Sequence, residues 1–98
     1  MGLGPQPGGN STALNITAAA VIKALPGTVF RIAVVAPGSA GVLTLNDVAT
    51  VGAAAAANQI VSIPFGNLVG AIPLDWPCAA GIVVSSVPTG GQVSIAFS

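Results

Sequence analysis

The amino-acid sequence predicts an all-β protein: a single small β-sandwich or Greek-key barrel of six to eight strands with an extended N-terminal arm. Three observations predict it. Apolar and β-branched residues gather in short runs such as "TVFRIAVV", "QIVSIP" and "QVSIAFS", the composition a pleated, half-buried surface prefers. Glycine and proline, 13 and 8 of the 98 residues, punctuate the gaps between those runs. No segment combines helical length with an apolar stripe. Several short strands separated by turns point to a sandwich or a small barrel.

The elements follow in order. Residues 1–13 open on "MGLGPQPGG" and lack an apolar period, so they are expected as an extended arm, with the β domain spanning 14–98. "LNITAAAVIKAL" alternates, placing Leu14, Ile16, Ala18, Ala20 and Ile22 on one face. Pro26-Gly27 is a turn. "TVFRIAVV" sets Phe30, Ile32 and Val34 against Val29, Arg31, Ala33 and Val35, and "VLTLND" follows as a short strand. The alanine run 53–57 is too short to hold a helix without packing, so a loop or a single helical turn is expected there. Its small side chains would let a neighbour approach. "QIVSIP" reads as an edge strand or a strand end because Pro64 cannot donate to a ladder. "VGAIPLDWP" is a short extended piece. "AGIVVSSV" and "QVSIAFS" read as a hairpin closed by Pro88-Thr89-Gly90-Gly91, with Val93, Ile95 and Phe97 facing inward.

Charge is the unusual quantity. Lys23, Arg31, Asp47 and Asp75 are the whole inventory, 4% of the chain with zero net charge, against about 25% in an ordinary soluble domain. With 53% hydrophobic residues, apolar side chains must reach the surface, which suits a membrane protein, a fibre or a subunit of a permanent assembly. The membrane option fails on length, because prolines cut every apolar run below the roughly 20 residues a spanning helix needs. The strands are also short for an outer-membrane barrel, and aromatic girdles are missing. The start lacks a secretory pattern and departs from the myristoylation motif at Gln6. No charge imbalance calls for nucleic acid.

Catalytic chemistry lacks its parts. There is no histidine and no tyrosine, so a nucleophilic triad has no base, and metal ligation would rest on Cys78, Asp47 and Asp75 without supporting spacing. No catalytic, cofactor-binding or metal residue is assigned, and no enzyme activity is expected. Cys78 reads as a small buried apolar residue. Asn46-Asp47 reads as a turn whose side chains bond the backbone. Lys23 and Arg31 flank the Pro26-Gly27 turn where they could face one another; they could pair with the aspartates, or Lys23 could stand solvated. Asn10-Ser11-Thr12 and Asn15-Ile16-Thr17 match the weak glycosylation pattern.

"PLDWPC", residues 73–78, concentrates the rare residues. Trp76 precedes Pro77 and is therefore held extended, while Asp75 can accept backbone N–H groups in the same turn. The segment reads as a rigid corner that drives one aromatic into an apolar surface. Trp76 is expected to plug the core at the end of the sandwich; the other reading makes it an anchor across a subunit contact.

"AAAVIKALPGTVFRIAVVAPGSAGVLTLND", "AAAAANQIVSIP" and "PLDWPCAAGIVVSSVPTGGQVSIAFS" resemble a group of small structural proteins encoded among the virion genes of tailed bacteriophages. The resemblance covers nearly everything after residue 13, but not the Gly/Pro arm. It implies a non-enzymatic capsid decoration (cement) or head-associated protein located on the capsid surface of the virion and made in the cytoplasm of an infected bacterium. The implied partners are the major capsid protein and further copies of the chain, with a homotrimer expected first and a dimer second. The alternative is a head-fibre, tail or baseplate component, or, from another class, a carbohydrate- or protein-binding module.

Overall fold

Eight strands form from the short apolar runs in a computed structural model that describes residues 11–98. They are β1 (Ser11–Ile16), β2 (Ala20–Lys23), β3 (Gly27–Ala36), β4 (Val42–Asn46), β5 (Gln59–Pro64), β6 (Ala71–Cys78), β7 (Ile82–Ser86) and β8 (Gln92–Phe97). Among the described residues the only helical pieces are three single 3-10 turns, Val51–Ala53, Ala56–Asn58 and Phe65–Asn67. The expected arm falls largely on residues 1–10, outside the described residues. Ser11, Thr12 and Ala13 already belong to β1, so the sheet begins ahead of the expected boundary at 13.

Two four-stranded antiparallel sheets result, ordered β1-β8-β3-β6 and β2-β7-β4-β5. The pairings nest: 1 with 8, 2 with 7, 3 with 6 and 4 with 5. This is the strand order of a jelly roll, a sandwich of two Greek keys. Every connection except β4–β5 crosses from one sheet to the other. The core between the sheets is built from Ile16, Val29, Ile32, Leu43, Leu45, Leu68, Ile82, Val84, Val93 and Ile95.

This order corrects three sequence-based expectations. "AGIVVSSV" and "QVSIAFS" are not a hairpin. β7 lies between β2 and β4, and β8 between β1 and β3 in the other sheet. The Pro88–Gly91 turn therefore bridges the sheets. It is closed by Gly91 N–H donating to Pro88 O at 2.8 Å, and it is tied to the β3–β4 loop by Ser39 N–H to Thr89 O at 2.9 Å and Thr89 N–H to Ala40 O at 2.8 Å. "LNITAAAVIKAL" is likewise two strands in two sheets. Lys23 and Arg31 consequently do not face one another: Lys23 pairs with Ile82, and Arg31 with Ala96 and Pro73.

Strict alternation also fails at bulges. In β1 the register slips between Ala13 and Ile16, and Asn15 takes φ 58°, a left-handed conformation that asparagine tolerates. Leu14 therefore points outward, 71% exposed, while Ile16 is buried. In β3 one residue, Phe30, is extra relative to β8, so Val29 and Ile32 share the inner face although they are three apart. The final strand keeps its phase: Val93 and Ile95 are buried, and Phe97 packs against the core from its rim. β5 is an edge strand, as Pro64 suggests, and β6, with Pro73 and Pro77, forms the edge of the other sheet.

Candidate functional site

The β4–β5 loop, residues 47–58, gathers most of the polar chemistry at one end of the sandwich. It starts on Asp47 directly after β4. One carboxylate oxygen of Asp47 accepts the Ala79 N–H at 2.9 Å; the other accepts those of Ala80 at 2.8 Å and Gly81 at 3.3 Å. The β6–β7 loop thus closes around a carboxylate. Partial burial pushes the Asp47 pKa up, but the three backbone bonds outweigh it and the net displacement is downward. Asp47 is therefore satisfied by backbone, not by Lys23 or Arg31. The Asn46-Asp47 pair does bond backbone through its side chains, as expected, but outside its own turn: Asp47 reaches backbone more than thirty residues on, and Asn46 reaches Ala55.

Asn46 is buried, 2% exposed. Its amide nitrogen donates to Ala55 O at 3.0 Å and to Asn58 Oδ1 at 2.7 Å, and its oxygen accepts the Ser85 hydroxyl at 2.6 Å. Asn58 continues the chain of bonds. Its oxygen accepts the Ala55 N–H at 3.0 Å and its nitrogen donates to Ala53 O at 3.1 Å. The alanine run is thereby laid across the outer face of the second sheet as two 3-10 turns. The first of these rests against β7, where Val83 is fully buried although its neighbours Ile82 and Val84 point into the core. Every buried polar side-chain atom among the described residues has a partner, so the network reads as the fastening of this loop.

Trp76 overturns the core-plug expectation. It pairs with the buried Val29 across the sheet, which puts its side chain on the inner side, yet it remains 49% exposed. The reason is its place. β6 is an edge strand, and Asp75, at φ 50°, adds a bulge that carries the indole past the rim. There it forms one wall of a cleft of about 250 Å³, completed by Asp47, Ala57, Asn58, Gln59 and Ile60 from the other sheet and its loop. Cys78 follows as a buried residue, 3% exposed. Its thiol is pushed up to about 11 by burial and by the nearby Asp47 charge, so it is protonated at neutral pH. That fits the apolar role read from sequence and gives no nucleophile.

Comparison with protein-family models, with curated sequences and with solved structures finds no match to this chain. Its own geometry is what bears on function. Among the described residues no three His, Cys, Asp or Glu side chains come together, and no helix is long and apolar enough to cross a membrane. Eight large apolar side chains are exposed among the described residues: Leu14, Val21, Leu25, Val35, Val51, Phe65, Val69 and Trp76. Leu14 and Val21 line one groove of about 370 Å³ where the chain crosses from β1 to β2. Asn58 and Ser85 do not stand out in the sequence. The available signal is the pair of asparagines, Asn46 and Asn58, bracketing an alanine run that cannot hold itself.

Proposed function

We propose that this chain is a non-enzymatic structural protein of a bacteriophage virion, a decoration or cement subunit that binds the outside of the head and reinforces it. The observation that carries the reading is the surface. Among the described residues eight large apolar side chains are exposed, on a chain with only four charged residues, a state better suited to permanent contact than to a free monomer. The resemblance of nearly everything after residue 13 to small virion-encoded proteins supports it. The jelly-roll order is compatible with it, since that fold builds viral capsid domains, but it also builds lectins and cupins and so does not decide the role.

On this reading the partners are the major capsid protein and other copies of the chain, with closed symmetry the usual arrangement and a trimer matching local three-fold positions of a shell. A cryo-electron-microscopy map of the virion, together with quantitative mass spectrometry, tests it. The expected result is density on the outer head surface and a copy number in proportion to the shell protein. A few copies confined to the tail or baseplate would replace the decoration reading with the tail reading, and absence from the particle would overturn both.

A further inference from the structure

We infer that the cleft between Trp76 and the start of β5 is a binding site for a neutral sugar, taken one hexopyranose ring at a time. The inference goes beyond the structural role proposed above and does not depend on it. A pyranose has one face of C–H groups and a rim of hydroxyls, so a site for it needs an apolar platform bordered by both donors and acceptors. Trp76 offers the platform: an indole half open to solvent on the cleft wall. It is also held in place before any ligand arrives, because Pro73 and Pro77 bracket it and its strand is paired to β3 on both sides of the bulge, which limits the ordering cost of binding.

The opposite wall supplies the polar rim. Gln59 is exposed, and its amide offers both a donor and an acceptor. Asn58 uses its oxygen twice and its nitrogen once inside the loop, leaving one amide hydrogen. Asp47 uses one carboxylate oxygen twice and the other once, leaving acceptor capacity on the latter. Asn58 and Asp47 are fixed by the bonds that fasten the loop.

The same arrangement argues against other occupants. An apolar side chain from a partner would cover the Asp47 carboxylate and strip its water without replacing it, which is costly. An anionic sugar would meet that carboxylate with no cation among the cleft residues Asp47, Ala57, Asn58, Gln59, Ile60 and Trp76 to offset it. A neutral ring satisfies the rim and covers the indole. At about 250 Å³ the cleft is smaller than the usual ligand pocket, so it suits one ring and weak, millimolar binding that repetition in an assembly would strengthen.

The sole tryptophan makes the test direct. The folded protein is titrated with glucose, galactose, mannose and N-acetylglucosamine, and with sialic acid as the anionic control, while Trp76 emission is followed. At least one neutral sugar is expected to give a saturable change in the millimolar range, with no saturation by sialic acid. Saturation-transfer NMR then reads binding independently of the fluorophore. Trp76→Ala should abolish the transfer, and Gln59→Ala, an exposed position whose loss leaves the fold intact, should weaken it by about 2- to 10-fold, the value of one neutral hydrogen bond. The inference is overturned by no saturation with any neutral sugar up to about 100 mM, where even a very weak site would be filled. Sialic acid binding equally well, or transfer persisting in Trp76→Ala, would also overturn it. So would an emission shift that follows protein concentration rather than sugar, because it would place Trp76 between protein copies.

Discussion

Asp47 does more for the fold than any other charged residue, because it ties two loops together through backbone rather than through another ion. Hydrogen bonds to a charged group are each worth about 1.5–3 kcal/mol, and solvent access at this loop reduces that. Replacing Asp47 by Asn should therefore cost about 1–2 kcal/mol in chemical denaturation, since an amide oxygen accepts less strongly and its nitrogen repels the N–H it faces. The sign of the pH effect follows from the lowered pKa. The native state releases the proton more readily than the unfolded chain, so the stabilisation is complete above the ordinary value of 3.8 and is lost as pH falls through the lower native value. Acid titration of stability should show this decline in the wild type, and the Asp47→Asn variant should lack it; a decline of equal size in both would assign the acid sensitivity elsewhere. Trp76 makes the opposite point. Because half of its surface stays in water, Trp76→Ala should cost no more than about 2 kcal/mol of subunit stability, against the 3–5 kcal/mol of a buried aromatic. A larger loss in urea denaturation would mean the indole is buried in solution.

At the scale of elements, the alanine loop is the piece least able to form by itself, and its fastening is concentrated in Asn46. Removing that side chain takes the side-chain donor from the Ala55 carbonyl, one of two donors from Asn58 Oδ1, and the 2.6 Å acceptor from the Ser85 hydroxyl. Asn46→Ala should thus cost about 2–3 kcal/mol and, in hydrogen exchange, release the amides of 51–58 while the core strands keep their protection. Uniform loss of protection would mean the loop is part of the global unfolding unit. A second element-level constraint is close approach at Gly81. A Cβ there would lie 2.5 Å from Val48 O and 2.7 Å from the Lys23 O, both backbone atoms that cannot turn aside. Gly81→Ala should destabilise by about 2–3 kcal/mol, as overpacking does, read as a lower denaturation midpoint. These elements also show what was legible beforehand. The strand runs, the Pro64 edge and the absence of a long helix could be read from composition and punctuation. The exchange of partners between sheets could not, because a four-residue turn such as Pro88–Gly91 serves a hairpin and a sheet-to-sheet crossing equally well. The bulges at Asn15 and Phe30 were also hidden, since a one-residue slip leaves the run of apolar letters unchanged while turning Leu14 outward. The loop-to-loop role of Asp47 joins residues more than thirty positions apart, which local pattern cannot reveal.

At the scale of the whole molecule, the two open sides of the sandwich are defended unequally. On one side the edge strands β5 and β6 contain Pro64, Pro73 and Pro77, and β6 is further interrupted at Asp75. Such edges resist pairing with another strand. On the other side β1 and β2 contain no proline, and Lys23 at the very end of β2 is their one charge. Leu14 and Val21, 71% and 45% exposed, flank the groove between these two strands. Among the described residues no strand pairs with the outer edges of β1 and β2, and such an edge beside exposed aliphatic side chains is a surface that further copies of the chain can cover. The self-association proposed above, trimer before dimer, should therefore use this side. Placing a charge at both positions, Leu14→Lys with Val21→Lys, adds two cations where like copies would meet and costs little in a subunit that already exposes both side chains. Sedimentation at tens of micromolar should then find the wild type assembled and the double variant monomeric, with far-ultraviolet circular dichroism unchanged. A wild type that sediments as a monomer would overturn the self-association itself. A variant that stays assembled with its fold intact would move the contact to another face, and the equivalent change at Val35 and Val69 would be the next to make.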